Sequence, residues 1–441
     1  MAKRAVIVVC DSLRRDMISA DTAPTLSALR ACSVDFTAAR GVFPSVTRVS
    51  AASIATGCHP GRHGLAGNSM VLDEGDGLTC LSVGHPDFRH RLRAATGRTL
   101  HRPTLAERLR EHGGAIAFSN VSPGAAYFLD PDHHGFVYHR AGSFGPGSTA
   151  LPTSEGLAID SGIDGDAAMT ERFCRDVLGA CLPTLALLWL SEPDWTGHTE
   201  ALGSPGHLAA ITAADACVRQ VFDALDDLDP AGSEILRIVC SDHGMETVDR
   251  TIDLDRLLVE AGLKDGARSK DVVVAPNGTA ALIYLAPEAG ARQDAIAAFL
   301  AEQDWVGEVF AGRALTRVGL SEAIGPALAL TVRSRDEPNA YGIRGRSDMV
   351  EESQDGAPYR SMHGGLGAGE QQPFLFVQGP GFAPASRPDR VSLVDIAPTV
   401  LAHLGVAADA MDGRALQFTD RDSADQESAE ANRRIEQEIA S

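Results

Sequence analysis

Short apolar runs typical of β-strands recur along the chain, and patterns typical of helices lie between them. The strand-like runs are Ala5–Cys10, Ala115–Phe118, Leu185–Leu190, Ile235–Cys240 and Phe374–Val377. The helical patterns include Thr104–His112 and Leu208–Leu228. Strands that are apolar throughout and alternate with helices are typical of a largely parallel sheet with helices on both faces. The sequence therefore predicts an α/β fold.

The length of the chain, 441 residues, exceeds the usual size of one compact core, so we expect a large domain with insertions. We assign the core to residues 1–252 and 357–418, with a cap insertion at about 69–165. Residues 253–356 are predicted to be an inserted α/β subdomain, because they contain further strand-like and helical patterns: Ala280–Leu285, Ala327–Val332 and Ala291–Glu302. Residues 419–441 are rich in acidic and poor in apolar side chains, which predicts an acidic tail.

Aspartate and histidine residues lie close to the ends of these predicted strands. In chain order they are Asp11, Asp194, His198, Asp242, His243 and His363, the last in a loop before the final strand. Ligands of open α/β sheets bind at the carboxyl ends of the strands. A single aspartate there is also a common helix cap or turn former, but the whole set predicts a functional site.

Three carboxylates and three imidazoles suit zinc, which binds carboxylate oxygen and imidazole nitrogen. Six such ligands suffice for two ions with open positions, and two-metal sites hold both oxygens of a phosphoryl displacement. The inventory therefore favours hydrolysis at phosphorus or sulfur. Asp194 and His198, four residues apart, have a simpler alternative as a contact across one helical turn, although Pro193 and Gly197 disfavour a regular helix.

Thr47 is the candidate nucleophile. It precedes an Ala-rich run that is predicted to be helical, so it would lie at a helix N-terminus, where N–H groups and the helix dipole favour an anion. A hydroxyl group there can be ionised by a bound metal and attack phosphorus. Threonine is also a common helix cap, and spacing alone leaves both interpretations open.

A series of motifs occurs in a fixed order along the chain. They are Asp11-Ser-Leu-Arg-Arg-Asp16, Phe-Pro-x-x-Thr47, Thr56-Gly57-x-x-Pro60-x-x-His63-Gly64, Gly67-Asn68, Glu192-Pro193-Asp194-x-x-Gly197-His198, Ser241-Asp242-His243-Gly244, His363-Gly364 and Asp395-Ile-Ala-Pro398-Thr399. With this series the chain resembles the type I phosphodiesterase and nucleotide pyrophosphatase family of the alkaline phosphatase superfamily, which also contains phosphonoacetate hydrolases. The resemblance spans about residues 5–405 and implies an alkaline-phosphatase-like core with inserted caps.

The resemblance also implies two zinc ions, with other divalent metals as alternatives. Three side chains would bind the first ion: Asp194, His198 and His363. The second would be bound by Asp11, Asp242, His243 and the oxygen of Thr47. Thr47 would attack phosphorus and form a phospho-threonine intermediate that water hydrolyses. Asn68 matches the family residue that hydrogen-bonds a phosphoryl oxygen, although Gly-Asn is also a turn pair.

Arg48 departs from the nucleotide-cleaving members, in which an aromatic residue commonly follows the nucleophile. An arginine there would donate to phosphate or carboxylate instead, as a candidate substrate contact. Five more arginines follow Asn68, so a phosphonate substrate remains an alternative: Arg89, Arg91, Arg93, Arg98 and Arg102. Such runs of charge are, however, usually solvated. The roles of His133 and His134 in a nearby loop stay open.

Charge and composition limit the partners and the compartment. The formal net charge of −20 disfavours binding to nucleic acid or to anionic membranes, and a small anionic substrate would need a local positive site. No apolar run approaches the roughly 20 residues that span a bilayer. The eight cysteines contain no Cys-x-x-Cys pair, and the N-terminus has no signal-peptide core, so we expect a cytoplasmic protein with free thiols. The oligomeric state is not indicated.

These observations lead us to expect a two-zinc hydrolase that acts through a Thr47 phospho-enzyme. Its substrate would be a small phosphodiester, pyrophosphate or phosphonate. A phosphonoacetate-type C–P hydrolase and a phosphomonoesterase are alternatives. A phosphomutase and a non-catalytic metal-binding protein fit less well, the latter because a decayed site would be expected to have lost ligands.

Overall fold

The computed structural model describes residues 3–350 and 360–417, so the predicted acidic tail lies outside the described residues. In chain order the strands are β1 (Arg4–Cys10), β2 (Val34–Arg40), β3 (Ser69–Asp73), β4 (Leu78–Ser82), β5 (Ala115–Ser119), β6 (Phe136–Tyr138), β7 (Phe144–Gly145), β8 (Thr149–Ala150), β9 (Leu185–Leu190), β10 (Ile235–Cys240), β11 (Glu246–Ile252), β12 (Val272–Asn277), β13 (Ala280–Leu285), β14 (Val306–Ala311), β15 (Leu328–Val332), β16 (Arg335–Pro338), β17 (Arg344–Val350), β18 (Ser361–Met362), β19 (Leu375–Gln378) and β20 (Ala385–Ser392).

Helices connect most of these strands. The α-helices are α1 (Pro24–Cys32), α2 (Thr47–Thr56), α3 (Pro60–His63), α4 (Phe88–Thr96), α5 (Leu105–Leu109), α6 (Pro123–Phe128), α7 (Gly162–Arg172), α8 (Asp194–Gly197), α9 (Pro205–Leu228), α10 (Leu254–Glu260), α11 (Gln293–Ala301) and α12 (Ile396–Leu404). A π-helical segment, Phe173–Leu178, continues α7. Short 3₁₀ segments are Arg15–Met17, Pro146–Ser148, Pro287–Arg292, Gly312–Val318, Glu322–Ile324 and Leu393–Asp395.

A ten-stranded sheet forms the centre of the molecule, with the order β20-β2-β19-β10-β1-β9-β5-β6-β7-β8. Strands β10, β1, β9, β5 and β6 run parallel, as do β2 and β20. Strand β19 is antiparallel to both of its neighbours. The α/β fold with a largely parallel sheet, predicted from the apolar runs, is therefore confirmed.

Both faces of the central sheet are buried, which explains why its strands are apolar throughout. Alternate residues of β1 point to opposite faces: Ile7 packs in one core and Val8 in the other. Residues of α2 and α12 complete the first core. The second core includes residues of α1, α7 and α9. This packing holds the central strands in fixed register and therefore fixes the positions of the loops at their carboxyl ends.

Most predicted elements lie where the sequence indicated, with shifts that have local causes. Strands β9 and β10 have the same bounds as predicted. Helix α9 begins earlier than predicted because Ser204 caps it and Pro205 occupies its first position. Helix α5 begins one residue later than predicted, since Thr104 is its cap and accepts a hydrogen bond from the Glu107 N–H, and it ends at Leu109 instead of His112. Strand β19, the last of the predicted strands, runs antiparallel to its neighbours, which the apolar pattern alone does not predict.

Smaller sheets flank the central one. Strands β12, β13, β15 and β14 form an antiparallel sheet drawn from the span 253–356. Strands β16, β17, β11 and β18 form another, and β3 pairs with β4. Strand β5 belongs to the central sheet although it lies within the span assigned to the cap insertion, and the division into domains stays a prediction.

All eight cysteines are free, as expected, and four of them are buried: Cys10, Cys58, Cys217 and Cys240. Within the described ranges, no helix combines the length and apolar composition that crossing a membrane requires.

Ile7 is fully buried in β1, so its replacement tests how far stability depends on this strand. The Ile7→Ala variant loses buried apolar contacts and should lower the free energy of unfolding by about 2–5 kcal/mol. Ile163, 37% exposed near the start of α7, provides a matched control. Ile163→Ala should change the free energy by less than about 0.5 kcal/mol. Urea unfolding followed by circular dichroism measures both variants, and equal losses would contradict this assignment of the core.

Candidate active site

The parallel register of the central strands brings the predicted site residues to one edge of the sheet. Val9 of β1 pairs with Cys240 of β10, and Cys10 pairs with Leu190 of β9. The loops after these three strands therefore leave the sheet side by side. They carry five of the predicted ligands: Asp11, Asp194, His198, Asp242 and His243. The loop after β18 supplies His363, and the start of α2 supplies Thr47.

Asp194, His198 and His363 form the first group of ligands. One oxygen of Asp194 lies 3.3 Å from Nε2 of His198, and its other oxygen lies 3.4 Å from Nε2 of His363. Pro193 and Gly197 are expected to disfavour a regular helix, and residues Asp194–Gly197 form only the single turn α8. This turn brings Asp194 and His198 into contact, and His363 joins them from another part of the chain.

Asp11, Asp242 and His243 form the second group. Nε2 of His243 lies 3.0 Å from an oxygen of Asp242, 3.6 Å from an oxygen of Asp11 and 3.2 Å from Oγ1 of Thr47. The rings of His243 and His363 stack with their centroids 3.8 Å apart, which joins the two groups. Candidate ligand atoms come together in two sets that share His243: Asp194, His243 and His363, and Asp11, Asp242 and His243.

Backbone carbonyl groups orient all three histidines. Nδ1 of His363 lies 2.8 Å from the carbonyl oxygen of Ser45, and Nδ1 of His198 lies 3.2 Å from that of Ser361. Nδ1 of His243 lies 3.1 Å from the carbonyl oxygen of Gly244. A carbonyl oxygen only accepts, so each Nδ1 carries the hydrogen and donates it. In its neutral form each ring therefore presents the lone pair of Nε2 to the site, as a metal ligand does.

Hydrogen bonds from the protein also orient two of the carboxylates. The indole N–H of Trp189 donates to Oδ2 of Asp11 at 3.1 Å, and the backbone N–H of Ser12 donates to Oδ1 of Asp242 at 3.1 Å. Among the oxygens of the three candidate aspartate ligands, three are buried and have no hydrogen-bond donor within the described residues: Asp11 Oδ1, Asp194 Oδ1 and Asp242 Oδ2. Buried carboxylate oxygens and imidazole lone pairs that face one another are a donor set that fits divalent cations such as zinc.

Electrostatics at the site point in the same direction. Burial, and then the charges of Asp242 and Asp194, raise the pKa of Asp11 well above its usual range. Burial, and then the ring of His243, lower the pKa of His363 well below its usual range. Burial also acts to lower the pKa of His198, but Asp194 outweighs it and the pKa is raised. Negative groups therefore repel one another here, and a cation would favour their ionised forms.

A glycine allows the His363 loop to pass close to β12. Gly364 has a φ of +135°, and a Cβ at this position would lie 1.8 Å from the carbonyl oxygen of Asn277. Oδ1 of Asn277 in turn accepts the backbone N–H of Asn68 at 2.6 Å. The chain outside the central sheet therefore helps to position both His363 and Asn68.

Thr47 is the first residue of α2, as predicted, and Asn68 lies beside this helix end. Oδ1 of Asn68 accepts the backbone N–H of Arg48 at 3.3 Å. This bond leaves the Asn68 Nδ2 group without a partner in the part of the chain that the structure describes. A donor group and a helix N-terminus thus lie next to the Thr47 hydroxyl, an arrangement suited to an anionic group.

Two cavities meet at this site and share four of their lining residues, Arg48, Asn68, His198 and His363. The Thr47 cavity has a volume of about 450 Å³ and is also lined by Asp11, Thr47, Pro123, Arg140, Asp194 and Trp195. The Met349 cavity has a volume of about 440 Å³ and is also lined by Val46, Cys80, Pro276, Asn277, Met349 and Met362. Space for a ligand therefore extends in two directions from the candidate ligand set.

Arg48 lines both cavities, and much of its guanidinium group contacts the protein. Nε donates to Oγ of Ser122 at 3.0 Å, and Nη1 donates to the carbonyl oxygen of Asn68 at 3.2 Å. A Cβ at Gly84 would lie 2.5 Å from its Nη2 atom, so the group is closely packed. The structure thus gives Arg48 a structural contact as well as a place at the site.

Other candidates lie outside the residues that line the two cavities. The arginines after Asn68 have local contacts: Arg89 lies over the ring of Tyr127, Arg91 pairs with Glu74, and Arg93 pairs with Asp132. The ring centroid of His133 lies 4.8 Å from that of Phe144, and His134 lines a separate cavity. The arginine run therefore gives no support to a phosphonate site.

Sequence reasoning missed several residues that contact the ligands or line the cavities: Ser45, Arg140, Trp189, Trp195 and Asn277. Trp189 offered a signal, because an indole N–H in a fully buried strand requires an acceptor. The others contact the site through the three-dimensional packing of distant segments, which the spacing of residues along the chain does not reveal.

Comparisons with known proteins identify the family of the chain. The family model described as type I phosphodiesterase / nucleotide pyrophosphatase matches residues 5–341. No curated protein sequence matches the chain. The solved structures include murine ectonucleotide pyrophosphatase/phosphodiesterase 5 as an inactive threonine-to-alanine variant in complex with AMP. It shares 18% identity and a TM-score of 0.67, covering 94% of this chain and 97% of its own.

A second structure of the same murine protein shares 17% identity and a TM-score of 0.66, with coverage of 93% of this chain and 97% of its own. At these identities the structural likeness establishes the fold, whereas the family model covers most of the sequence. The chain belongs to the type I phosphodiesterase and nucleotide pyrophosphatase family.

Proposed function

We propose that the protein is a metal-dependent phosphodiesterase in which Thr47 is the nucleophile. The observation that carries this proposal is the position of Oγ1 of Thr47, 3.2 Å from Nε2 of the shared ligand His243. Membership of a family of phosphodiesterases and nucleotide pyrophosphatases supports hydrolysis of a phosphodiester bond. The substrate is a small anionic phosphoryl compound.

The cofactor we propose is a pair of divalent cations, with zinc preferred for the mixed imidazole and carboxylate ligands. Asp194, His198 and His363 would hold one ion. Asp11, Asp242, His243 and Thr47 would hold the other. When bound, the ions neutralise the buried carboxylates, lower the pKa of the Thr47 hydroxyl and polarise the phosphoryl group.

Thr47 makes and breaks the covalent bond in two steps. Oγ1 gives up its proton to solvent and forms a bond to phosphorus, while the bond from phosphorus to the leaving oxygen breaks and that oxygen takes up a proton from solvent. A water molecule then attacks phosphorus, the bond to Oγ1 breaks, and Thr47 regains a proton. Throughout, the N-terminus of α2 and Nδ2 of Asn68 stabilise negative charge on the phosphoryl oxygens.

The pair of cavities favours a diester over a monoester. A phosphodiester carries two organic substituents, whereas a monoester carries one. The Thr47 cavity and the Met349 cavity offer one space for each substituent, on either side of Asn68 and His363. A phosphomonoesterase would have no use for the second space.

Removal of the Thr47 hydroxyl tests the proposed nucleophile. The Thr47→Ala variant should lose all measurable turnover of a p-nitrophenyl phosphodiester, because no other oxygen takes its place, while its metal content stays nearly unchanged. Thr56→Ala provides a matched control: it removes a hydroxyl from the other end of α2, which donates to the carbonyl oxygen of Ala52. This control should keep most of its activity.

Two measurements decide the Thr47 test. Release of p-nitrophenol gives turnover, and elemental analysis of the purified variants gives bound metal. Full activity in Thr47→Ala would reject the mechanism. Loss of metal from Thr47→Ala would show that the ion is not held without the Thr47 oxygen, and the loss of turnover would then not identify Thr47 as the nucleophile.

Trp189 provides a test of metal binding that does not alter a ligand. Its N–H donates to Oδ2 of Asp11, so Trp189→Phe leaves this buried oxygen without a donor. Metal affinity should fall roughly 10–100-fold, the effect typical of losing such a partner. Trp305 is also buried but lies in the core around β12–β15, so Trp305→Phe is the matched control and should keep its affinity. Competition with a zinc chelator measures both variants, and equal affinities would count against a metal ion at Asp11.

A further inference from the structure

Arg140 is a half-buried cation that lines the Thr47 cavity without a carboxylate partner in the described ranges. Its Nη1 atom donates to the carbonyl oxygen of Asn120, to Oδ1 of Asn120 at 2.8 Å and to the carbonyl oxygen of Val121 at 3.1 Å. Its Nε and Nη2 atoms donate to no residue that the structure describes. These two atoms form the edge of the guanidinium group that matches a carboxylate or a phosphate with two parallel hydrogen bonds.

Asp166 is the acidic group that acts on Arg140, and its own oxygens are already engaged. They accept hydrogen bonds from Nδ2 of Asn120, from the N–H and hydroxyl of Ser191 and from the N–H of Glu192. Asp166 therefore holds the loop before Asp194 in place. It forms no direct ion pair with Arg140, whose charge is left for another anion.

The position of Arg140 is fixed, which suits recognition of a ligand. Asn120 and Val121 follow β5, a parallel neighbour of β9 in the central sheet, so their contacts tie the guanidinium group to the edge that carries the metal ligands. Arg48, the other arginine of the cavity, donates through both Nε and Nη1 to the protein. Arg140 is therefore the better placed of the two to contact a ligand through its two-nitrogen edge.

The rest of the cavity wall indicates what carries such an anion. Trp195 is 53% exposed and lines the same cavity, together with Pro123 and Val121. An organic group can lie along this apolar wall with its charged end at Arg140. The Met349 cavity differs, because apart from the shared residues its lining carries no charged side chain among the described residues.

We propose that Arg140 recognises a second anionic group of the substrate, a carboxylate or phosphate on the substituent that occupies the Thr47 cavity. This inference rests on the proposed function and narrows its substrate class. The preferred substrate is a phosphodiester with one acidic arm, held at Arg140, and one uncharged arm in the Met349 cavity. Nucleotides without a further acidic group would lack this contact.

Matched substrates test the proposal on the zinc-loaded enzyme. We compare p-nitrophenyl phosphodiesters whose second arm is phenyl, carboxyphenyl or phosphophenyl. The wild-type protein should prefer an acidic arm, and the better of the two acidic arms identifies carboxylate or phosphate. Arg140→Gln should lower kcat/KM for that substrate roughly tenfold to hundredfold, the effect of a charged hydrogen bond, and change the rate with the phenyl substrate less than about twofold.

Two further variants separate recognition from folding. Arg140→Lys keeps a positive charge without the two-nitrogen edge and should show an intermediate loss. Arg110→Gln removes a surface arginine, 51% exposed at its side chain, and should leave all three rates unchanged. Because the phenyl substrate needs no contact with Arg140, its turnover reports whether each variant is folded and active.

Calorimetry measures recognition without relying on turnover. At least one of the two acidic ligands, carboxyphenyl phosphate and phosphophenyl phosphate, should bind the zinc-loaded wild type at least tenfold more tightly than phenyl phosphate. Arg140→Gln should abolish this difference in affinity. The inference would be overturned if the wild type showed no preference for an acidic arm, or if the preference survived in Arg140→Gln. Turnover that depends on Thr47 would still support the proposed function in either case. Turnover that is absent with every diester would instead count against the proposed function.

Discussion

The constraint on which the site depends is the placement of three carboxylates at one edge of a parallel sheet, with Asp11 and Asp242 buried and Asp194 half-buried. Burying a carboxylate costs free energy unless donors or cations compensate it. Trp189 and Ser12 each supply one donor, to Asp11 and Asp242, while the remaining buried oxygens face imidazole lone pairs. Carboxylate oxygens and imidazole lone pairs are both acceptors, so they can face one another only with positive charge between them. The proposed cations would supply that charge, held by ligands on the loops at this edge of the sheet.

The fold divides the remaining tasks between its parts. The central sheet sets the spacing of the ligands, because paired strands packed on both faces cannot shift independently. The segments outside it line the cavities, through Asn277 and Met349 on one side and Arg140 and Trp195 on the other. The chemistry of the family, hydrolysis of phosphodiester bonds, is thus associated with the sheet edge. The residues that line the two cavities would determine which substrates bind.

Much of the fold was predictable because the physical signals were local. Apolar runs such as Leu185–Leu190 identified buried strands, and the motifs around Asp194 and His243 identified the family. The features that sequence reasoning missed were longer in range or smaller in scale. The single turn of α8 forms despite Pro193 and Gly197, because one turn needs few hydrogen bonds. Arg140 carries no motif, and its place at the site depends only on contacts with the end of β5.

The stereochemical course at phosphorus is the measurement that tests the account most directly. A diester of defined configuration at phosphorus is hydrolysed by the zinc-loaded protein in isotopically labelled water, and the configuration of the product is determined. Attack by Thr47 followed by attack by water inverts phosphorus twice, so the account predicts net retention. Net inversion would show that water attacks directly, and would contradict a covalent role for Thr47.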